Sequence, residues 1–385
     1  APTLESFYIL SASNFDESVR VRGFGGYYHQ VIGANYTVKS ADYIIGIVKS
    51  QDVIVVLPGP SGSNQGRLLT IKDEMPNRGT GSILVTGSLD SSYHLLKFDS
   101  THGQLTENII KTKDSIKYNN KNILFYSEKD PTKLPWKKLK IDIVLECSGV
   151  FTSKEKSYSH IIAGAKKVII SAPAKGVDAT IVQGVNNQIL NKKHQIISNG
   201  SCTTNCLAPV AMILDKHLGI ESGYMTTIHS FTGDQRTIDQ AHNDLRRART
   251  ASLSLIPTST GAAKALGIVL PKLAGKLDGS AIRVPTPNVS LIDLTFVSKK
   301  KTSIDKINHL MINASKNQNL KGILSINKLP LVSIDFNHNS SSSVFDLTQT
   351  QVINNKFCRI LSWYDNEWGF SNRMIDTMLD LKKCL

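Results

Sequence analysis

From about residue 105 onward, short apolar runs alternate with stretches whose apolar positions recur every three or four residues. Ile141-Asp142-Ile143-Val144-Leu145-Glu146-Cys147 reads as a buried strand stopped by Ser148-Gly149, residues 153–164 carry helical spacing, and Lys167-Val168-Ile169-Ile170-Ser171 reads as the next strand. Strand, helix and strand in that order predict a right-handed parallel crossover. Residues 196–202 form a further strand running into a turn, and the spacing predicts a helix from Cys202 to about Leu218. The arginine-rich stretch over 234–249 is too irregular for one helix. Residues 281–298 and 330–363 show the period-two alternation of a mainly antiparallel sheet, and 367–381 reads as a closing helix whose Lys382-Lys383 suit the helix dipole.

The first 90 residues have another cadence. Apolar runs at 36–38, 43–48, 53–57, 67–71 and 83–86 are separated by Gly, Pro, Ser and Asn turns, which reads as all-β. That rhythm, with Leu69-Thr70-Ile71-Lys72-Asp73-Glu74, is similar to β-rich segments of phage tail and virus surface proteins.

The candidate chemistry centres on Ser198-Asn199-Gly200-Ser201-Cys202-Thr203-Thr204-Asn205-Cys206, with His229 27 residues after Cys202. A cysteine among hydroxyl residues, with a histidine further on, predicts a thiolate nucleophile and its base; the alternative is a buried small hydrophobe. The predicted helix start at Cys202 favours the thiolate through its unpaired N–H groups and dipole.

The wording around the pair resembles the active-site signature of phosphorylating glyceraldehyde-3-phosphate dehydrogenases: Ser201-Cys202-Thr203-Thr204-Asn205-Cys206-Leu207-Ala208-Pro209, with Gly200 where that family has alanine. The resemblance continues through Thr258-Ser259-Thr260-Gly261-Ala262-Ala263-Lys264 and Arg283-Val284-Pro285-Thr286-Pro287-Asn288-Val289-Ser290. It ends in Trp363-Tyr364-Asp365-Asn366-Glu367-Trp368-Gly369-Phe370-Ser371-Asn372-Arg373, and it spans about residues 90–385. It implies an α/β fold, a Rossmann-like parallel sheet plus an α+β catalytic domain with a mainly antiparallel sheet. It also implies NAD as cofactor, a phosphorylated aldehyde and inorganic phosphate as substrates, and a homotetramer. By resemblance Cys202 is the nucleophile and His229 the base. Thr232 and Arg283 hold the substrate phosphate, with Arg247 assisting. Ser201, Thr203, Thr260 and Gly261 bind inorganic phosphate, while Asn366 and Ser148 serve the nicotinamide. Erythrose-4-phosphate dehydrogenase is a sibling alternative; a chimeric or non-catalytic protein with an N-terminal β-rich binding segment is another.

The beginning departs from the family, because the glycine-rich turn that admits a dinucleotide pyrophosphate is missing. Gly23-Phe24-Gly25 has Tyr28 where the third glycine belongs. After the strand at 53–57, Gly66-Arg67 imitates the end of the fingerprint, but Ser61 and Ser63 occupy its first two glycine positions. Gly87-Ser88 follows the next strand where a ribose-binding acid is expected. Either a foreign β-segment replaces the first βαβ unit, or a diverged unit begins near 53 behind an extension; the 33 residues from Gly66 to Asp99 are close to the family spacing. The second alternative gives an extension at 1–52, a cofactor domain at 53–201 with Gly66 and Arg67 as cofactor-binding candidates, a catalytic domain at 202–365 and a returning helix at 366–385.

Composition narrows little further. The 385 residues suffice for two domains, 41% are apolar, and no apolar run approaches the roughly 20 residues of a membrane span. No secretory signal opens the chain, and Ala1 stands where an initiator methionine belongs. Five scattered cysteines, with no second pair to complete a zinc site beside Cys202 and Cys206, predict reduced thiols and a cytoplasmic setting. The net charge of +14 comes from scattered lysines without interleaved aromatics, so no specific nucleic-acid partner and no membrane partner is expected.

Overall fold

The computed structural model describes residues 19–22, 28–31, 53–56, 83–86, 109–118 and 121–385. Its contacts divide the chain into two units, Ala1–Ser40 and Ala41–Leu385. Within the first, β1 (Val19–Arg22) and β2 (Tyr28–Val31) pair antiparallel.

The second unit holds two sheets. Its elements in chain order are β3 (Val53–Val56), β4 (Ile83–Thr86), β5 (Ile109–Lys111), β6 (Ser115–Tyr118), β7 (Lys121–Tyr126), β8 (Ile143–Glu146), α1 (Lys154–Ile162), β9 (Lys167–Ile170), β10 (Ala179–Thr180) and β11 (Ile196–Ser198). There follow α2 (Cys202–His217), β12 (Ile220–Ser230), β13 (Ile256–Ser259), α3 (Ala262–Val269), β14 (Leu277–Val284), β15 (Ser290–Ser298), α4 (Ile304–Ser315), β16 (Leu324–Asn327), β17 (Ser343–Ile353), β18 (Phe357–Tyr364) and α5 (Trp368–Lys382).

The first sheet has the order β10-β11-β9-β8-β3-β4-β7-β6-β5. Every pairing from β10 to β7 is parallel, and β6 and β5 close one edge antiparallel. Reading β7-β4-β3-β8-β9-β11, the sheet is doubly wound about β3, with its switch point between β3 and β8. Alternate residues of β8 face opposite ways. Ile143 and Leu145 join α5 through Met374, Ile375, Met378 and Leu381, while Val144 packs with Val168, Ile170 and Trp136. Both faces are therefore dry, as a parallel sheet requires.

This pairing bears on the beginning of the chain. The expected strands at 53–57 and 83–86 exist, but as parallel neighbours at the centre of the nucleotide-type sheet. Successive strands of an all-β segment joined by tight turns pair antiparallel, so the all-β reading is corrected at these two strands. The strands expected at 36–38, 43–48 and 67–71, with Gly66, Arg67, Gly87 and Ser88, lie outside the described residues.

The second sheet has the order β13-β14-β12-β15-β18-β17-β16; four of its pairings are antiparallel, while β12/β14 and β16/β17 are parallel. In β15 buried and half-buried residues alternate without a break, so one face carries the core. Against that face lies α2, whose Cys206, Leu207, Val210 and Leu214 pack with Met225, Leu294, Phe345 and Ile360, while α3 and α4 add Leu266, Ile307 and Met311. The strand-like alternation read over 330–342 is instead a short 3-10 turn at Ser333–Phe336, where the Asp335 carboxylate accepts the Val332 N–H at 2.9 Å.

Candidate functional site

Ser201 stops β11 and starts α2: its hydroxyl accepts the Thr204 N–H at 3.0 Å, satisfying one orphan donor of the first turn. Gly200, at φ +66°, makes the turn just before it, a backbone region where any other residue pays about 1–2 kcal/mol. Asn205 reaches back to bond the carbonyls of Asn199 and Ser201 at 2.8 and 2.9 Å, closing the turn from inside. Cys202 is consequently fixed as the first residue of a 16-residue helix aimed at the second sheet.

His229 stands one residue from the end of β12, and the parallel register sets Arg283 of β14 beside it. The His229 Nε2 lies 3.4 Å from the Cys202 Sγ. On its other side, Nδ1 is 2.7 Å from the Ser230 carbonyl and 2.7 Å from Arg283 Nη1, and that guanidinium also reaches the same carbonyl at 3.1 Å. The Arg283 guanidinium can only donate, and the Ser230 carbonyl is an acceptor open to it; in the tautomer that gives Nδ1–H to the same carbonyl, the lone pair of Nε2 faces sulfur, as a base requires. The Tyr364 ring meets His229 edge-on at 5.8 Å, and its hydroxyl joins Thr203 Oγ1 at 2.9 Å to Thr227 Oγ1 at 2.8 Å. A residue that reads as a core aromatic in sequence thus ties the helix carrying the thiol to the strand carrying the imidazole.

These groups surround a cavity of about 220 Å³. Ser201, Cys202, Thr203, Thr260 and Gly261 line it, with His229, Thr232 and Arg283. The C-terminal ends of β8 and β9 supply Cys147, Ser171, Ala172 and Pro173, and the return of the chain supplies Asn366, Phe370, Ser371 and Met374. Thr232 is held by Gln235, whose Oε1 accepts both its N–H at 2.8 Å and its hydroxyl at 3.2 Å.

Two expected residues are not among the cavity's walls. Arg247 is paired with Asp234 and bonds Thr258 Oγ1 at 2.9 Å, with Asp244 3.5 Å away. Ser148 turns its hydroxyl back onto the buried Glu146, which also accepts the Ser148 N–H at 2.8 Å and meets His160 Nε2 at 2.8 Å; Cys147 takes the place on the wall. Sequence reasoning missed Tyr364, Gln235, Ser230 and Ser290, none of which has a local signal. Cys206, one helical turn beyond Cys202, is wholly buried, and burial pushes its thiol up to about 12 against hydrogen bonds to Ser343 and Ser362.

Residues 201–366 match the family described as "Glyceraldehyde 3-phosphate dehydrogenase, C-terminal domain", and residues 80–154 match its "NAD binding domain". The chain is 55% identical over 297 residues to a glyceraldehyde-3-phosphate dehydrogenase of Xanthobacter flavus, covering 77% of this chain and 88% of that one. The chain belongs to the glyceraldehyde-3-phosphate dehydrogenase family. Relatives of the same name from Zymomonas mobilis and Geobacillus stearothermophilus are 52% identical over 300 residues and 50% over 284, covering 78% and 74% of this chain and 89% and 84% of theirs. The family's NAD-binding match begins at residue 80, after β3, so the missing glycine fingerprint falls before it.

The fit of NAD can be tested on the cavity itself. Asn366 is buried, its Oδ1 receives two hydroxyls at 2.8 Å each, and its Nδ2 has no partner among the described residues. A buried amide N–H₂ left unsatisfied on a cavity wall suits an acceptor such as a carboxamide oxygen. The residues present fit the nicotinamide end of the cofactor.

Proposed function

We propose that this protein oxidises D-glyceraldehyde 3-phosphate to 1,3-bisphosphoglycerate, using NAD and inorganic phosphate, through a thioester on Cys202. The observation that carries the reading is the thiol 3.4 Å from an imidazole, in a cavity lined by the hydroxyl residues Ser201, Thr203, Thr232 and Thr260 and by Arg283. Sulfur attacks the aldehyde carbon and its proton passes to His229 Nε2. The first-turn N–H of Cys202 receives the developing oxyanion. His229 returns that proton to the oxyanion, giving the thiohemiacetal hydroxyl, and takes it back as the hydride leaves the carbon. NAD, when bound, supplies the hydride acceptor, its carboxamide held by Asn366. A phosphate oxygen attacks the thioester carbonyl, the carbon–sulfur bond breaks, and Cys202 is restored.

Thr232 and Arg283 take the substrate phosphate and Ser201, Thr203, Thr260 and Gly261 the attacking one; hydroxyls, a backbone N–H and a guanidinium are the donors such oxygens need. Arg247 joins the first set on leaving Asp234, and Ser148 borders the cofactor through its place next to Cys147. Gly66 and Arg67 fall in sequence between β3 and β4, where a doubly wound sheet receives a pyrophosphate. We assign 53–201 to cofactor binding, 202–365 to catalysis and 366–385 to the returning helix, with 1–52 as an extension. No observation favours the tetrose-phosphate or non-catalytic alternatives.

A homotetramer is supported by the exposed apolar side chains Ile238, Leu245, Leu253 and Leu255 of the irregular arginine-rich segment and the residues after it. None of the five cysteines is in a disulfide, consistent with a reducing cytoplasm. Among the described residues no helix is long and apolar enough to cross a membrane. Titrating NAD while following fluorescence quenching tests the cofactor assignment, and Cys202→Ser tests the nucleophile. We expect saturable binding in both proteins and a loss of turnover in the variant by more than about 10³-fold. Absent saturation removes the cofactor, and retained turnover removes the nucleophile.

A further inference from the structure

The Asn366 amide has two nearly isosteric orientations, one offering the cavity a donor and the other an acceptor. Its surroundings choose between them. Ser230 Oγ and Ser290 Oγ each donate to Oδ1 at 2.8 Å. The Ser290 oxygen accepts the Ser230 N–H at 3.0 Å, and its proton has a second acceptor, Ser230 Oγ at 3.4 Å, farther away than Asn366 Oδ1 at 2.8 Å. The neighbouring backbone is fixed as well, since Asp365 Oδ1 accepts the N–H groups of Glu367 and Trp368 at 2.9 and 2.8 Å. The carbonyl end of the amide thus receives two hydroxyls, and among the described residues the N–H₂ end is the one without a partner.

We propose that Ser230 and Ser290 are positioning residues that lock Asn366 as a hydrogen-bond donor, so that the site reads the carbonyl oxygen of the nicotinamide carboxamide and not its N–H₂. The inference rests on the NAD reading given above. It assigns to two serines on adjacent strands a role in cofactor recognition that neither exerts by touching the cofactor.

The discriminating probe is 3-acetylpyridine adenine dinucleotide, which keeps the ring carbonyl but carries a methyl group in place of the amide nitrogen. A locked donor accepts both NAD and this analogue through the same oxygen. Once both serines are replaced (Ser230→Ala with Ser290→Ala), the amide is free to turn its oxygen toward the cavity. NAD then answers by rotating its own N–H₂ toward that oxygen, whereas the analogue has no donor to offer. Equilibrium binding by calorimetry, without substrate, should show the analogue-to-NAD ratio of Kd rising about tenfold in the double variant and staying unchanged in Ser290→Thr. Asn366→Asp provides a second route that keeps both serine bonds: its carboxylate presents only lone pairs, and the same ratio should rise. A general loosening of the site weakens both ligands alike, so an unchanged ratio in either the double variant or Asn366→Asp overturns the proposal. Failure of NAD to bind the unaltered protein is a different result, and it removes the cofactor reading beneath the proposal.

Discussion

Alkylation of the native protein separates Cys202 from Cys206, two thiols four residues apart on one helix. Cys206 is fully buried and burial holds its thiol near 12, with Sγ donating to Ser343 Oγ at 3.5 Å. At pH 7.5 a thiol titrating at about 12 is ionised in about one molecule in 3 × 10⁴, whereas an ordinary thiol is about 10% ionised. Ionisation alone therefore holds Cys206 about 3 × 10³-fold below an ordinary accessible thiol. Iodoacetamide added in slight excess, followed by peptide mass spectrometry at timed intervals, should find Cys202 carbamidomethylated first and Cys206 unmodified until the protein is denatured. Cys384, which is partly exposed in the last turn of the chain, serves as the internal reference for an accessible thiol without a histidine partner. If Cys206 reacts within tenfold of the Cys202 rate in folded protein, the burial argument is wrong.

Tyr364→Phe removes the hydroxyl between Thr203 and Thr227, two hydrogen bonds worth about 1 kcal/mol each, and should lower unfolding free energy by about 1–2 kcal/mol. Because Thr203 belongs to the proposed inorganic-phosphate set, KM for phosphate should rise while KM for the aldehyde holds; a parallel rise in both contradicts the assignment. Burial alone would raise the Asp178 carboxyl, but the N–H of Ile196, the Lys154 ammonium at 2.5 Å and the N–H of Gln195 outweigh it and hold it below 3.8. A depressed carboxyl contributes stability above its unfolded value and loses it as pH falls through the folded one. Asp178→Asn should therefore cost about 1–2 kcal/mol at pH 7 and flatten the acid limb below about pH 4, measured by urea unfolding at several pH values.

Much of this was legible where the signal is local. Ser153 and Ser201 cap α1 and α2 where the polar-to-apolar change begins, and the thiol motif sits on that second cap. Gly200 reads as a mild departure from the family pattern, and its positive φ gives the position a reason to be glycine. What the sequence hides depends on strand partners. A four-residue run such as Val53–Val56 looks the same in a parallel sheet as in a hairpin, and its neighbour β8 is about 90 residues away. Ser230, Ser290 and Asn366 meet only because β12, β15 and β18 lie side by side in one register. Arg247 advertises a cation but not that Asp234 already holds it.

The last helix has a consequence for how this molecule comes into being. Thr377 on α5 bonds Asn199 Oδ1 at 2.7 Å, Asp380 receives Gln183 and Asn187, and the same helix covers the β8 and β11 side of the parallel sheet. Those contacts come from Trp368–Lys382, which follows every strand of both sheets, so a ribosome has made those strands before that face can be sealed. Sequential synthesis does not finish the nucleotide-type half first. It stays open along one side until α5 arrives, and a nascent chain truncated before residue 366 would display that oily surface to any chaperone within reach.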